Sequence, residues 1–88
     1  MDLETFKEIF GKKKPQEKLL LFAKTLERIG DCRVHYVEAR RNQNQEEADY
    51  YDRERKGQEE RAEWLYSEVR NYLDECENER KKLENDWR

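Results

Sequence analysis

The residues able to do chemistry are few in type and thinly spread. His35, the sole histidine, stands three residues from both Cys32 and Glu38, so all three can share one helical face. A zinc site wants four ligands, usually from two such pairs. The only other cysteine, Cys76, has no histidine or cysteine neighbour. A Cys32, His35, Glu38 and Cys76 set closes only if the chain doubles back near residue 54. The plainer account is a structural, half-buried cysteine and histidine, and no metal ligand is assigned. Ser67 is the sole serine and sits in no Gly-x-Ser-x-Gly turn; the three glycines are isolated and cradle no phosphate. No catalytic residue and no cofactor is expected.

Carboxylates are abundant. Glu60 and Glu63, with Glu59 beside them, have the Glu-x-x-Glu spacing that holds magnesium, and this resembles the first half of the motif of all-helical nucleotide pyrophosphatases. That family implies a second acidic or Asn-x-x-Asp pair on another helix. Asn71 and Asp74 begin only eight residues after Glu63 on the same predicted helix, so they cannot face the first pair across a bundle. Metal-dependent nucleotide hydrolysis by these carboxylates is therefore a minor alternative.

The elements that must position these groups read as helices. Met1 to Phe10 places Leu3, Phe6, Ile9 and Phe10 at helical spacing, with Asp2 as a cap. Residues 11–15, from Gly11 through Lys12, Lys13 and Lys14 to Pro15, form a basic hinge, and Pro15 suits a first helical turn. A second helix is expected over 16–41, with Leu19, Phe22, Leu26 and Ile29 stepping by three and four as a packing seam. It runs through Gly30, because a lone strand over Cys32–Val37 has nothing to pair with. From Arg40 to Glu60 only Ala48, Tyr50 and Tyr51 are apolar or aromatic, so residues 42–57 are expected to be a polar tip containing the turn. The third helix, 58–87, repeats the seam with Ala62, Leu65, Val69, Tyr72, Cys76 and, one heptad on, Leu83. The expected fold is all-α: a short N-terminal amphipathic helix plus a long, coiled-coil-like antiparallel hairpin, paired into a dimeric helical bundle.

Composition agrees with this architecture. The 88 residues make one domain, 47% charged, with 19 basic against 22 acidic side chains. Only sixteen residues are Leu, Ile, Val or Phe, a share that in a strongly charged chain signals disorder; a net charge of −3 and 11% aromatics oppose that reading. The longest apolar run is five residues, Leu19 to Ala23, where a membrane span needs about 20. Asp2 and Glu4 stand where a secretory signal would be basic and apolar, and two cysteines 44 residues apart read as reduced thiols, so the cytoplasm is the expected compartment.

Binding is the remaining class. Lys12, Lys13, Lys14, Lys18, Arg33, Arg40 and Arg41 belong to a basic face within residues 7–41 that suits phosphate, the nucleic-acid alternative. The acidic pI of about 5.3 and the lack of a recognition motif count against it. A protein partner is expected instead, together with a homodimer, because a hairpin buries one side of each helix and the apolar stripes are wider than that. Tyr50, Tyr51, Arg53, Arg55 and Lys56 at the tip, and Trp87 near the end, are candidate partner contacts of the residue types that carry interface energy. In size, charge and single-domain helical style the chain is similar to phage and mobile-element regulators that bind and block a host protein, without a motif that carries the likeness. The expected function is stoichiometric, as inhibitor, adaptor or assembly factor, with no membrane involved.

Overall fold

Three helices carry the chain in this computed structural model, which describes residues 1–86: α1 (Leu3–Phe10), α2 (Pro15–Arg41) and α3 (Gln45–Asp86). The all-α hairpin expected from the spacing is present, with α2 and α3 packed along each other and α1 laid against α3. No described helix is long and apolar enough to cross a membrane.

Local chemistry sets each boundary. The Asp2 carboxylate accepts from the Thr5 N–H at 2.8 Å and starts α1. Pro15 opens α2, and the Lys14 N–H donates to Glu17 at 3.3 Å. The turn between α2 and α3 is only three residues, 42–44. Gln43 takes a left-handed φ of 57°, the Asn44 N–H donates to the Ala39 carbonyl at 2.9 Å and the Gln43 N–H to Arg40 at 3.1 Å. This is a Schellman ending that satisfies the last carbonyls of α2. Asn44 then caps α3 by accepting from the Glu47 N–H at 3.2 Å, while its amide donates to the Glu47 carboxylate at 3.0 Å.

The polar tip expected over 42–57 is therefore corrected: the third helix starts at Gln45 rather than residue 58. Low apolar content did not stop helix formation, because residues four and three apart supply the contacts. Gln45 bonds Asp49 at 2.7 Å, Arg55 bonds Asp52 at 2.8 Å and Glu59 at 2.9 Å, and Lys56 pairs with Asp52 at 3.2 Å. The small residues Ala39 and Ala48, both buried, let the two backbones close beside the turn.

The seam on α2 runs through Phe22, Thr25, Ile29, Cys32, Tyr36 and Ala39, and on α3 through Ala48, Tyr51, Arg55, Gln58, Ala62, Leu65, Val69 and Tyr72, all buried or half-buried. Phe22, Ile29, Ala62, Leu65, Val69 and Tyr72 stand in it, with Leu19 half-buried nearby. Leu26 does not: it is 48% exposed, and Thr25 takes its place, its hydroxyl donating to the Leu21 carbonyl at 2.8 Å. The reason lies in the heptads. Leu26 continues to Arg33 and Arg40, whose guanidinium groups resist burial, whereas Thr25 continues to Cys32 and Ala39. Cys76 and Leu83 are also exposed and outside the core. Lys18, in the first turn of α2, already pairs with Glu68, so the fourteen residues after Tyr72, 73–86, extend beyond the start of α2.

At the open end α1 packs through Phe6, which meets Trp64 edge-on at 5.7 Å and Phe10 at 4.6 Å. Arg61 lies 5.1 Å over the Phe6 ring and donates to the Met1 carbonyl at 2.6 Å. The Cα framework measures 58 × 33 × 14 Å, so it is one helix thick over most of its length. Leu65 and Val69 are the largest side chains removed completely from solvent.

Candidate protein-interaction surface

The titratable groups of the described residues are spread along the hairpin. Among the described residues no three His, Cys, Asp or Glu side chains come together as metal ligands. Cys32 is buried in the seam near Glu54 and Arg55, while Cys76 is exposed on the extension one turn past Tyr72, so the two thiols stand far apart along α3. Burial, with the Glu54 carboxylate adding to it, pushes the Cys32 thiol above its ordinary range, which keeps it protonated. His35 stacks on Tyr51 at 4.8 Å with its Nδ1 3.8 Å from Glu38. Glu59 is held by Arg55 at 2.9 Å and by Arg33 at 3.2 Å, and these two guanidinium groups lower its carboxyl. Glu60 and Glu63 are exposed on the same helix as Asn71 and Asp74.

The basic residues do not form one face. Lys12, Lys13 and Lys14 lie in the hinge, whereas Arg40 and Arg41 lie at the far end of α2, about 40 Å away at 1.5 Å per residue. Lys18 is half-buried and pairs across the hairpin with Glu68 at 3.1 Å. Arg33 pairs with Glu59, and Arg40 covers the Tyr36 ring at 5.9 Å.

The candidate partner contacts near the turn sit on the first turns of α3 rather than on a loop. Tyr51 is engaged with His35 and meets Tyr50 edge-on at 5.1 Å. Arg55 and Lys56 are occupied by Asp52 and Glu59, whose carboxylates raise the Arg55 pKa further above an already high value. Tyr50 and Arg53 are exposed. Trp87 lies outside the described residues.

A surface that seam periodicity alone did not mark is the outer face of α2. Leu20, Leu26, Val34 and Val37 are 60%, 48%, 58% and 47% exposed, and exposed Ala23 and Gly30 stand between them. At 3.6 residues per turn these six share one side of the helix, roughly opposite Thr25, Cys32 and Ala39. Toward the hinge the stripe meets an open groove of about 250 Å³ formed by Phe10, Lys13, Glu17, Leu20, Leu21 and Lys24, between α1 and α2. The signal lay in the same heptads: once Arg33 and Arg40 exclude Leu26 from the seam, Leu26 belongs with Val34 and Val37. No family model, curated protein or solved structure matches the chain.

Proposed function

We propose that this chain is a non-enzymatic protein-binding module that acts stoichiometrically, as an inhibitor, adaptor or assembly factor. The observation that carries the reading is a hairpin one helix thick that leaves large apolar side chains bare on α2 and on the extension of α3. Scattered single apolar residues on a surface are ordinary, but a contiguous stripe rimmed by charge is the form of a docking face. The extension adds exposed Cys76 and Leu83, in helical register with half-buried Leu73 at steps of three, four and three through Arg80. Division of the basic groups between the two ends of α2 weakens the nucleic-acid reading, which needs a continuous field. Two free cysteines, one of them exposed, suit a reducing compartment such as the cytoplasm.

The test is capture by the tagged chain from extracts of its native host, with bound protein weighed against bait. A protein other than the chain itself, retained in near one-to-one amount and lost when Leu73→Asp is combined with Leu83→Asp or when Leu20→Asp alters the groove, is the expected result. Retention of the same proteins by wild type and both variants, or of no other protein, overturns the reading.

A further inference from the structure

We infer that the outer face of α2 docks on the same face of a second copy of this chain, with the two α2 helices parallel about a twofold axis. The inference rests on the protein-binding reading and assigns one of its bare faces to one partner. Leu20, Ala23, Leu26, Gly30, Val34 and Val37 fall within an arc of about 120° and run for about 26 Å along the helix. Apart from its own helical turn, no atom of the described residues lies within 4 Å of where a Gly30 side chain would start, so the space over the middle of the stripe is open. With Ala23 seven residues before it, Gly30 lets a second backbone approach closely there.

Area points to an occupant of this size. A compact monomer of this mass exposes about 5,600 Å², whereas this chain exposes 7213 Å². The surplus of about 1,600 Å² is shared between this face and the extension of α3, and half of it would match the roughly 800 Å² that each partner contributes to a standard stable interface.

Charge selects the second copy and its direction. Glu27, Asp31 and Glu38, with Lys24, lie toward one side of the stripe; Arg33 and Arg40 lie along the other, and Arg41 ends the stripe beside Val34 and Val37. A twofold axis parallel to the helices sets the acidic side of each copy against the basic side of the other. Asp31 then comes beside Arg33 of the second copy, and Glu38 beside Arg40. Antiparallel pairing would bring like sides together, which costs rather than contributes. Arg33 is 65% exposed and keeps guanidinium N–H groups free of its bond to Glu59.

Sedimentation equilibrium tests the association, and cysteine pairing tests the direction. The expected mass is twice the chain mass of 10.9 kDa. Val34→Asp with Val37→Asp, both on solvent-exposed positions, returns it to one chain with unchanged helicity. Asp31→Arg weakens association by about fivefold, for two exposed ion pairs lost per dimer, and adding Arg33→Asp restores it. In a Cys76→Ser background, Ala23→Cys and Val34→Cys each cross-link to themselves under mild oxidation. A dimer in which Ala23→Cys links only to Val34→Cys overturns the parallel arrangement, and one that survives Val34→Asp with Val37→Asp overturns the surface. A monomer at every concentration overturns the inference outright; if that monomer still captures a near-equimolar host protein, the protein-binding reading stands without it.

Discussion

The register of the hairpin is decided by one choice, Thr25 or Leu26, and paired truncations measure it. Leu65→Ala removes a leucine side chain with no exposed surface from the middle of the seam. Deleting a fully buried leucine costs about 3–5 kcal/mol, transfer and cavity together. Against a total stability of about 4–13 kcal/mol for a chain of this length, that is a large fraction. It corresponds to a fall in Tm of about 12–40 °C at some 4–8 °C per kcal/mol. Leu26→Ala removes the same atoms from a side chain already 48% exposed, whose neighbouring heptad positions are arginines. The cost there is under about 1 kcal/mol. Urea and thermal melts followed by far-ultraviolet circular dichroism, at concentrations low enough to keep the chain monomeric, compare the two. Thr25→Asp serves as a second probe, since it places a carboxylate where a hydroxyl donates to Leu21, and it should unfold the hairpin while Leu26→Asp is tolerated. Equal losses from Leu65→Ala and Leu26→Ala, or tolerance of Thr25→Asp, would refute the register.

Three further outcomes follow from local geometry. Gln43→Gly relieves a left-handed φ and should stabilise the turn by about 1 kcal/mol, whereas Asn44→Ala removes the cap of α3 and should cost about 1 kcal/mol, both read from urea midpoints. Gly57→Ala meets nothing within 4 Å in a helical backbone and should raise Tm, with a gain of about 0.5–1 kcal/mol; a loss would show that another group comes close to this position. Hydrogen bonds from Arg55 and Lys56 lower the Asp52 carboxyl, and Arg55 with Arg33 lowers Glu59. Depressed carboxyls contribute stability above their unfolded values and lose it as pH falls through the folded ones, so the hairpin weakens on acidification below the ordinary carboxylate range. Asp52→Asn should flatten that part of the pH profile in urea melts.

Much of the fold was legible in the residues because helical spacing and caps are local signals. Asp2, Pro15 and the steps through Phe22, Ile29, Leu65 and Val69 report short-range geometry that the packed hairpin keeps. The turn was harder to place. Residues 45–57 hold almost no apolar side chains, yet pairs such as Asp52 with Lys56 and the buried Ala48 sustain a helix that composition does not announce. Leu26 was harder still, since two three-four patterns share Phe22 and Ile29, and only the arginines one and two heptads later separate them. As for the surface, the width of the apolar stripe on α2 was visible at Leu20 and Ala23. That Val34 and Val37 extend it became clear only after α3 had claimed the opposite side.

The extension of α3 raises a separate physical question, because fourteen residues past Tyr72 stay helical beyond the start of α2. Propensity alone makes a helix this short marginal in water, chiefly because its first turn is costly to form. Here that turn already exists: residues 73–86 continue a helix whose preceding 28 residues, 45–72, run along α2. Continuing a helix adds one hydrogen bond per residue fixed, and side-chain pairs help locally. Arg80 meets Glu77 at 2.6 Å and Glu84 at 2.7 Å, three and four residues away, spacings that favour the helix. Glu77 is correspondingly lowered and Arg80 raised in pKa. An arm ordered in this way presents Leu73, Cys76 and Leu83 at fixed helical register before any partner arrives. A disordered segment carrying the same residues would have to be ordered during binding, at a conformational cost the arm has already met within the fold. The continuity of α3 through Gly57 is thus tied to the arm: a proline at position 57 would break the ladder inside the packed span, and the arm's helicity should survive it only if residues 58–72 remain docked on α2.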